Sequence, residues 1–238
     1  MLPPRPTIEI LASLRLFEGI EAHDLKGLGA TMRTRRHRAG EVIYHQGDPG
    51  DALHVIVDGT VKLLLPSAEG DEAILATLSR QAFFGELALL DHGPQSMTAV
   101  ALEPTETIVV PRSTFMELIG THDCAREVLL GALASALRRL TARVEALHFL
   151  DVPGRVAQAL LGLAREHGQS LGSAGGEPPD AIRITVRITQ GDLARMVSAS
   201  RQSVNQALAE LAGDGIARFE RDGIVVLAPD RLARRARV

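Results

Sequence analysis

The sequence predicts an α+β fold, with a glycine-punctuated β segment in front, a long helix after it, and a small winged unit at the end. Three observations predict it. Short apolar runs alternate with Asp-Gly and Gly-Asp turns over residues 40–111. A leucine heptad follows over residues 130–147. Two short capped helices and a hairpin then fill residues 189–227.

Residues 7–32 read as short helices, because Ile8, Ile10, Leu11 and Leu14, then Leu25, Leu28 and Met32, recur at helical spacing. Residues 40–44, 52–57, 61–65, 73–78 and 105–111 are strand-like. The turns between them contain Gly47, Gly50, Gly59 and Gly70, which supply the positive φ that tight hairpins need. Strands this short and this regularly spaced imply a β-barrel or sandwich.

From Ser113 the period changes. A short helix to about Gly120 precedes a long one over residues 124–150. Leu130, Leu133, Leu137, Leu140, Val144 and Leu147 are spaced 3, 4, 3, 4, 3, the seam of a helix that pairs with its own copy. A helix packed only on its own barrel is the alternative. Arg138, Arg139, Arg143 and Glu145 flank the seam and favour the paired form. Asp151 is placed to cap the next helix, with Pro153 in its first turn. The expected divisions are therefore residues 1–122, 123–150 and 151–238.

A helix to about His167, a flexible loop over residues 168–180 and a strand over residues 182–188 come next. Thr189, with Asp192 three residues on, signals a helix start. Ser198 and Ala199 form a turn, and Ser200 caps a second helix whose Val204, Leu208 and Leu211 face inward. Residues 215–227 read as a two-stranded wing around Arg221, Asp222 and Gly223. In a helix-turn-helix the second helix enters the major groove. Arg201, Gln202, Asn205 and Gln206 would then face outward. Arginine binds guanine through two hydrogen bonds, and glutamine or asparagine binds adenine. Ser200, Ser203 and the helix N-terminus suit phosphate oxygens.

Composition narrows the class. The 238 residues are 45% hydrophobic and 23% charged, an ordinary globular balance. Residues 151–238 carry twelve arginines against ten carboxylates, within a net charge of −3. That mild asymmetry fits a second half that meets phosphates. The N-terminus lacks the apolar core of a signal peptide, and no apolar run reaches membrane-spanning length, so a cytoplasmic protein is expected. The single cysteine, Cys124, excludes an intrachain disulfide and a cysteine-based zinc or iron–sulfur site. No nucleophile–base signature marks an enzyme.

Residues 83–91 (FFGELALLD), 149–155 (FLDVPGR), and 188–190 with 199–208 (ITQ…ASRQSVNQAL) form a specific set of motifs. Residues 40–51 and 58–63 (DGTVKL) join them. Together they resemble the cyclic AMP receptor protein and FNR (CRP/FNR) family of bacterial transcription regulators over nearly the full chain. The resemblance implies an N-terminal β-roll, of the jelly-roll or double-stranded β-helix kind found in cyclic-nucleotide-binding domains. It also implies a dimerisation helix and a winged helix-turn-helix. A homodimer would bind palindromic double-stranded DNA, contact RNA polymerase, and answer to a small effector.

The effector cassette implied is Gly85, Glu86, Leu87, Ala88, Gln95 and Ser96, with Thr141 of the long helix. The turn at Gly85 aims helix-starting amides at an anion, and Glu86 offers a carboxylate to a ribose hydroxyl. Ser96 matches the family's hydroxyl, but Gln95 stands where the cyclic phosphate's arginine belongs. A charge-assisted bond is about twice as strong as a neutral one. Cyclic AMP is therefore expected to bind weakly, leaving a cyclic nucleotide, another effector or none as the signal. Gln202 and Gln206 also depart from the family's common Glu and Arg, and Ser198 stands where the turn often has glycine. A sensor module for a channel or kinase, and a haem-type gas sensor with a histidine ligand, are the alternatives on the same fold.

Overall fold

The computed structural model describes residues 5–67, 70–172, 178–220 and 223–237. The chain divides into two compact units, Met1–Arg138 and Arg139–Val238. The division falls inside one helix.

In the first unit, α1 (Ile8–Ala12), a 3-10 turn (Arg15–Phe17) and α2 (Ala22–Gly29) come first. Thr7 caps α1 by accepting from the Ile10 amide at 3.4 Å. Eight strands follow among the described residues: β1 (Arg33–His37), β2 (Val42–Tyr44), β3 (Ala52–Asp58), β4 (Val61–Pro66), β5 (Glu72–Leu78), β6 (Phe83–Phe84), β7 (Thr98–Ala101) and β8 (Thr105–Pro111). They form two antiparallel sheets of order β1-β8-β3-β6 and β2-β7-β4-β5. This is a two-sheet sandwich, as the turn spacing predicts, and the β-roll that the family resemblance implies.

β1, with the sequence RTRRH, shows no apolar alternation. Pairing with β8, from Arg33 opposite Val109 to His37 opposite Thr105, makes it a strand. β6, β7 and β1 are the strands that the reading of apolar runs misses.

The two faces of the first sheet serve two cores. Ile56, Val61, Leu63, Phe84 and Ala99 meet between the sheets. Leu53, Val55, Ile108 and Val110 face the other way, toward Leu11, Phe17, Leu25 and Phe115 of the flanking helices. α3 (Glu86–Asp91) joins β6 to β7, and α4 (Arg112–Thr121) follows β8.

α5 (Asp123–Phe149) is the long helix. Its 27 residues span about 40 Å at the usual rise of about 1.5 Å per residue. Ala125, Leu129 and Leu133 lie on the core of the first unit. Leu130, Leu137, Leu140, Val144 and Leu147 remain 43–66% exposed. Most of the leucine seam is thus uncovered in a single chain.

In the second unit α6 (Val152–His167) starts where expected. Asp151 Oδ1 accepts from the Gly154 amide at 2.9 Å, and a proline occupies the first turn. α6 packs against α7 (Gln190–Val197), α8 (Arg201–Gly213) and α9 (Pro229–Arg235). The wing strands β11 (Ala217–Glu220) and β12 (Gly223–Val226) continue a sheet through β10 (Ile182–Ile184) to β9 (Gly168–Ser170). Two expectations change here. The strand predicted over residues 182–188 stops at Ile184. The expected loop begins as a strand, because Gly168 and Ser170 pair with Ile184 and Ile182. Residues 173–177 of that loop, and Arg221 and Asp222 of the wing turn, lie outside the described residues.

Candidate nucleic-acid interface and sensor cassette

α7 and α8 are held by their own side chains. Thr189 Oγ1 accepts from the Asp192 amide at 3.0 Å, while Asp192 Oδ2 accepts from the Thr189 amide at 3.2 Å and its hydroxyl at 2.6 Å. This reciprocal capping box fixes the entry to α7. Ser198 closes the helix in the left-handed region, at φ 52° and ψ 54°, as its place in the turn suggested. The Ala199 amide reaches back to the Ala194 carbonyl at 3.1 Å. Ser200 Oγ then accepts from the Ser203 amide at 3.1 Å and starts α8.

On α8 the two faces separate cleanly. Val204, Ala207, Leu208 and Leu211 are buried, whereas Arg201, Gln202, Asn205 and Gln206 are exposed along the opposite side. Periodicity is the whole cause. Gln206 Nε2 makes a 3.4 Å contact with Glu210 Oε1. The Ser200 and Ser203 hydroxyls lie 2.9 Å apart and share a hydrogen bond at the helix start. The wing is braced by charge: Glu220 receives Arg183 and Arg218 at 2.8 Å each. Those two arginines hold its carboxyl below the usual range.

Sequence reasoning missed one neighbour of this surface. Gly191, the second residue of α7, is buried directly under the Arg201 guanidinium. The missing side chain is visible in the sequence. The contact is not, because it depends on how α7 and α8 cross.

In the β-roll, Gly85 at φ 88° turns the chain from β6 into α3. A Cβ there would stand 3.1 Å from the Ala52 carbonyl and 3.5 Å from Gln95 Nε2. The Gln95 amide therefore lies over Gly85, and the residue is only 5% exposed. Its backbone is pinned on both sides, donating to the Asp48 carbonyl and accepting from the Gly47 amide at 2.8 Å each. Ala88 is buried against Gly50. Leu87 and Ser96 face solvent, and Thr141 is exposed on α5 in the second unit.

Glu86 is largely out of water, and burial pushes its carboxyl up. Burial first, and then the Glu86 charge, raises the Tyr44 hydroxyl. Tyr44 belongs to a ring cluster between the sheets. His54 stacks on Phe84 at 5.1 Å, and Tyr44 tilts against both at 5.7 and 5.8 Å. His54 Nδ1 is shut off from water and has no hydrogen-bond partner. Burial first, then the charges of His37 and Arg35, lowers the His54 pKa to about 4. His37, by contrast, bonds Glu41 and Thr107 at 3.2 Å each. Among the described residues no group of three or more His, Cys, Asp or Glu is placed to hold a metal ion. Among the same residues no helix is long and apolar enough to cross a membrane.

Known proteins align with both units. Residues 34–122 match the cyclic nucleotide-binding domain, and residues 154–235 match the Crp-like helix-turn-helix domain. A CRP-like cAMP-activated global transcriptional regulator of Mycobacterium tuberculosis is 35% identical over 229 residues, covering 96% of this chain and 99% of that protein. The cyclic AMP receptor protein of Thermus thermophilus is 32% identical, covering 86% of this chain and 88% of that protein. Among solved structures, FixK2 from Bradyrhizobium japonicum superposes with a TM-score of 0.73 at 23% identity, over 87% of this chain and 98% of that one. A CRP/FNR-family regulator from Thermus thermophilus does so at 0.67 and 27% identity, over 86% and 98%.

Proposed function

Since the chain belongs to the CRP/FNR family of transcription regulators, we propose that it reads a palindromic operator as a homodimer, with α8 of each subunit in a major groove. Arg201 takes a guanine through O6 and N7, and Gln202, Asn205 and Gln206 meet neighbouring base edges. Ser200, Ser203 and the start of α8 bind phosphates. The protein is not an enzyme. It acts in the cytoplasm on double-stranded DNA and RNA polymerase.

One observation carries this reading: four polar side chains lie exposed on the α8 face opposite its buried apolar residues. The exposed seam residues Leu130, Leu137, Leu140, Val144 and Leu147, on the helix of residues 124–150, support the dimer. A single chain leaves those side chains in water, and a second copy would bury them. The working division is a sensor over residues 1–122, a dimerisation helix over 123–150 and a DNA reader over 151–238.

The sensor cassette of the first unit is Gly85, Glu86, Leu87, Ala88, Gln95 and Ser96. A cyclic nucleotide placed there meets the neutral amide of Gln95 in place of a guanidinium. The loss of one charge-assisted bond weakens a buried phosphate by about 10²-fold. Cyclic AMP is thus a poor effector for this chain, and the native signal has to do without a cation at position 95.

The test is Arg201→Ala. Specific binding to an operator selected from random duplex DNA should fall by about 1–3 kcal/mol, while sedimentation still shows a dimer. Unchanged affinity and unchanged base preference would refute the assignment.

A further inference from the structure

We propose that Gly191 is a positioning residue for DNA reading: by carrying no side chain it gives the Arg201 guanidinium a fixed place against the first turn of α7. The inference rests on Arg201 being the base-reading arginine.

The geometry is close. A Cβ on Gly191 would lie 3.0 Å from Arg201 Nη2, 3.2 Å from Nε and 3.3 Å from Cζ, tighter than nearly all real Cβ contacts. One partner would have to yield, and the surroundings decide which. The Gly191 backbone sits inside the Thr189–Asp192 capping box, whose three hydrogen bonds join Thr189, two residues before it, to Asp192, the residue after it. The base of the Arg201 side chain is equally fixed, because Arg201 is the first residue of α8 and Ser200 caps that helix. Between them the turn is set by the left-handed Ser198 and the Ala199 to Ala194 hydrogen bond. Only the flexible outer part of Arg201 is free to give.

A methyl group at position 191 therefore pushes the guanidinium off α7 and leaves the helices in place. The native arrangement holds a long, rotamer-rich side chain near one position before DNA arrives. Ordering such a side chain at binding costs up to about tenfold in affinity. Gly191 reduces that cost for the one arginine on which base reading depends. It does so without touching DNA itself.

The experiment uses the full-length protein and an operator selected by the native chain from a random duplex pool. Each guanine is replaced in turn by 7-deazaguanine, which lacks the N7 acceptor. The guanine whose replacement no longer matters to Arg201→Ala is the one Arg201 reads.

Gly191→Ala should bind the operator up to about tenfold more weakly and show a smaller 7-deazaguanine penalty at that guanine. Its melting temperature should be unchanged or higher, since alanine favours a helix over glycine. In the Arg201→Ala background the second change should do nothing further. The proposal is overturned if Gly191→Ala keeps native affinity and the native penalty. It is equally overturned if the loss is as large without Arg201, or if the variant melts lower. If Arg201→Ala remains sensitive at every guanine, the assignment of Arg201 itself is what fails, and the role of Gly191 falls with it.

Discussion

His54→Phe isolates the cost of a histidine held among aromatic rings. The substitution keeps a flat ring against Phe84 and removes the titrating group. In the folded chain His54 has a pKa of about 4, against 6.5 for an ordinary histidine. Between those values the unfolded chain takes up a proton that the folded chain refuses. The native state binds fewer protons there, so stability rises with pH through the window. The contribution is fully present above about pH 6.5 and is lost as pH falls toward 4. At about 1.4 kcal/mol per pH unit over which the states differ, the loss between pH 7 and pH 4.5 is about 2–3 kcal/mol. Glu86 has the opposite sign, because its raised carboxyl keeps a proton in the folded state. It is present in both proteins and cancels in the comparison.

The chain has one tyrosine, Tyr44, and no tryptophan. Tyrosine fluorescence therefore reports unfolding of the β-roll without a signal from the second unit. Urea titrations at pH 7 and pH 4.5 should show the stability gap between native and His54→Phe shifting by about 2–3 kcal/mol in favour of the variant at the lower pH. Parallel losses in the two proteins, or a His54 ring resonance titrating near 6.5, would refute the reasoning.

Leu137→Glu places one carboxylate from each subunit in the middle of the seam. At about 3–5 kcal/mol per unpaired buried charge it should yield monomers in sedimentation, and an intact dimer would count against the seam. Gln95→Arg restores a cation over Gly85 and should raise affinity for cyclic AMP by about 10²-fold in a calorimetric titration. Micromolar binding of cyclic AMP by the native chain would contradict the role given to Gln95.

The sequence disclosed what local chemistry decides. Thr189, Asp192, Ser200 and Asp151 cap helices through bonds to their own neighbours, so their roles are visible in a string of residues. The outward row on α8 follows from period alone. β1 and β9 were not legible, because Arg33–His37 and Gly168–Ser170 owe their extended form to partner strands and carry no pattern of their own. The Tyr44–His54–Phe84 cluster joins residues from three strands, and the Gly191–Arg201 contact joins two helices. Both depend on tertiary packing. The cassette shows both kinds of information: the turn at Gly85 was readable, and the position of the Gln95 amide over it was not.

The strand order of the β-roll also sets a timetable. β1 waits for β8, about seventy residues further on, and β2 waits for β7. Closing loops of that length must precede the contacts that repay it, so the sheets are slow to complete. On the ribosome the first sheet cannot close until Pro111 has emerged, and the leucines of α5 come out directly behind it. Leu130, Leu137, Leu140 and Leu147 are exposed in the single chain, and they emerge after the last strand that the preceding sheets need. If α5 pairs as proposed, assembly of two chains through it competes with aggregation at that step.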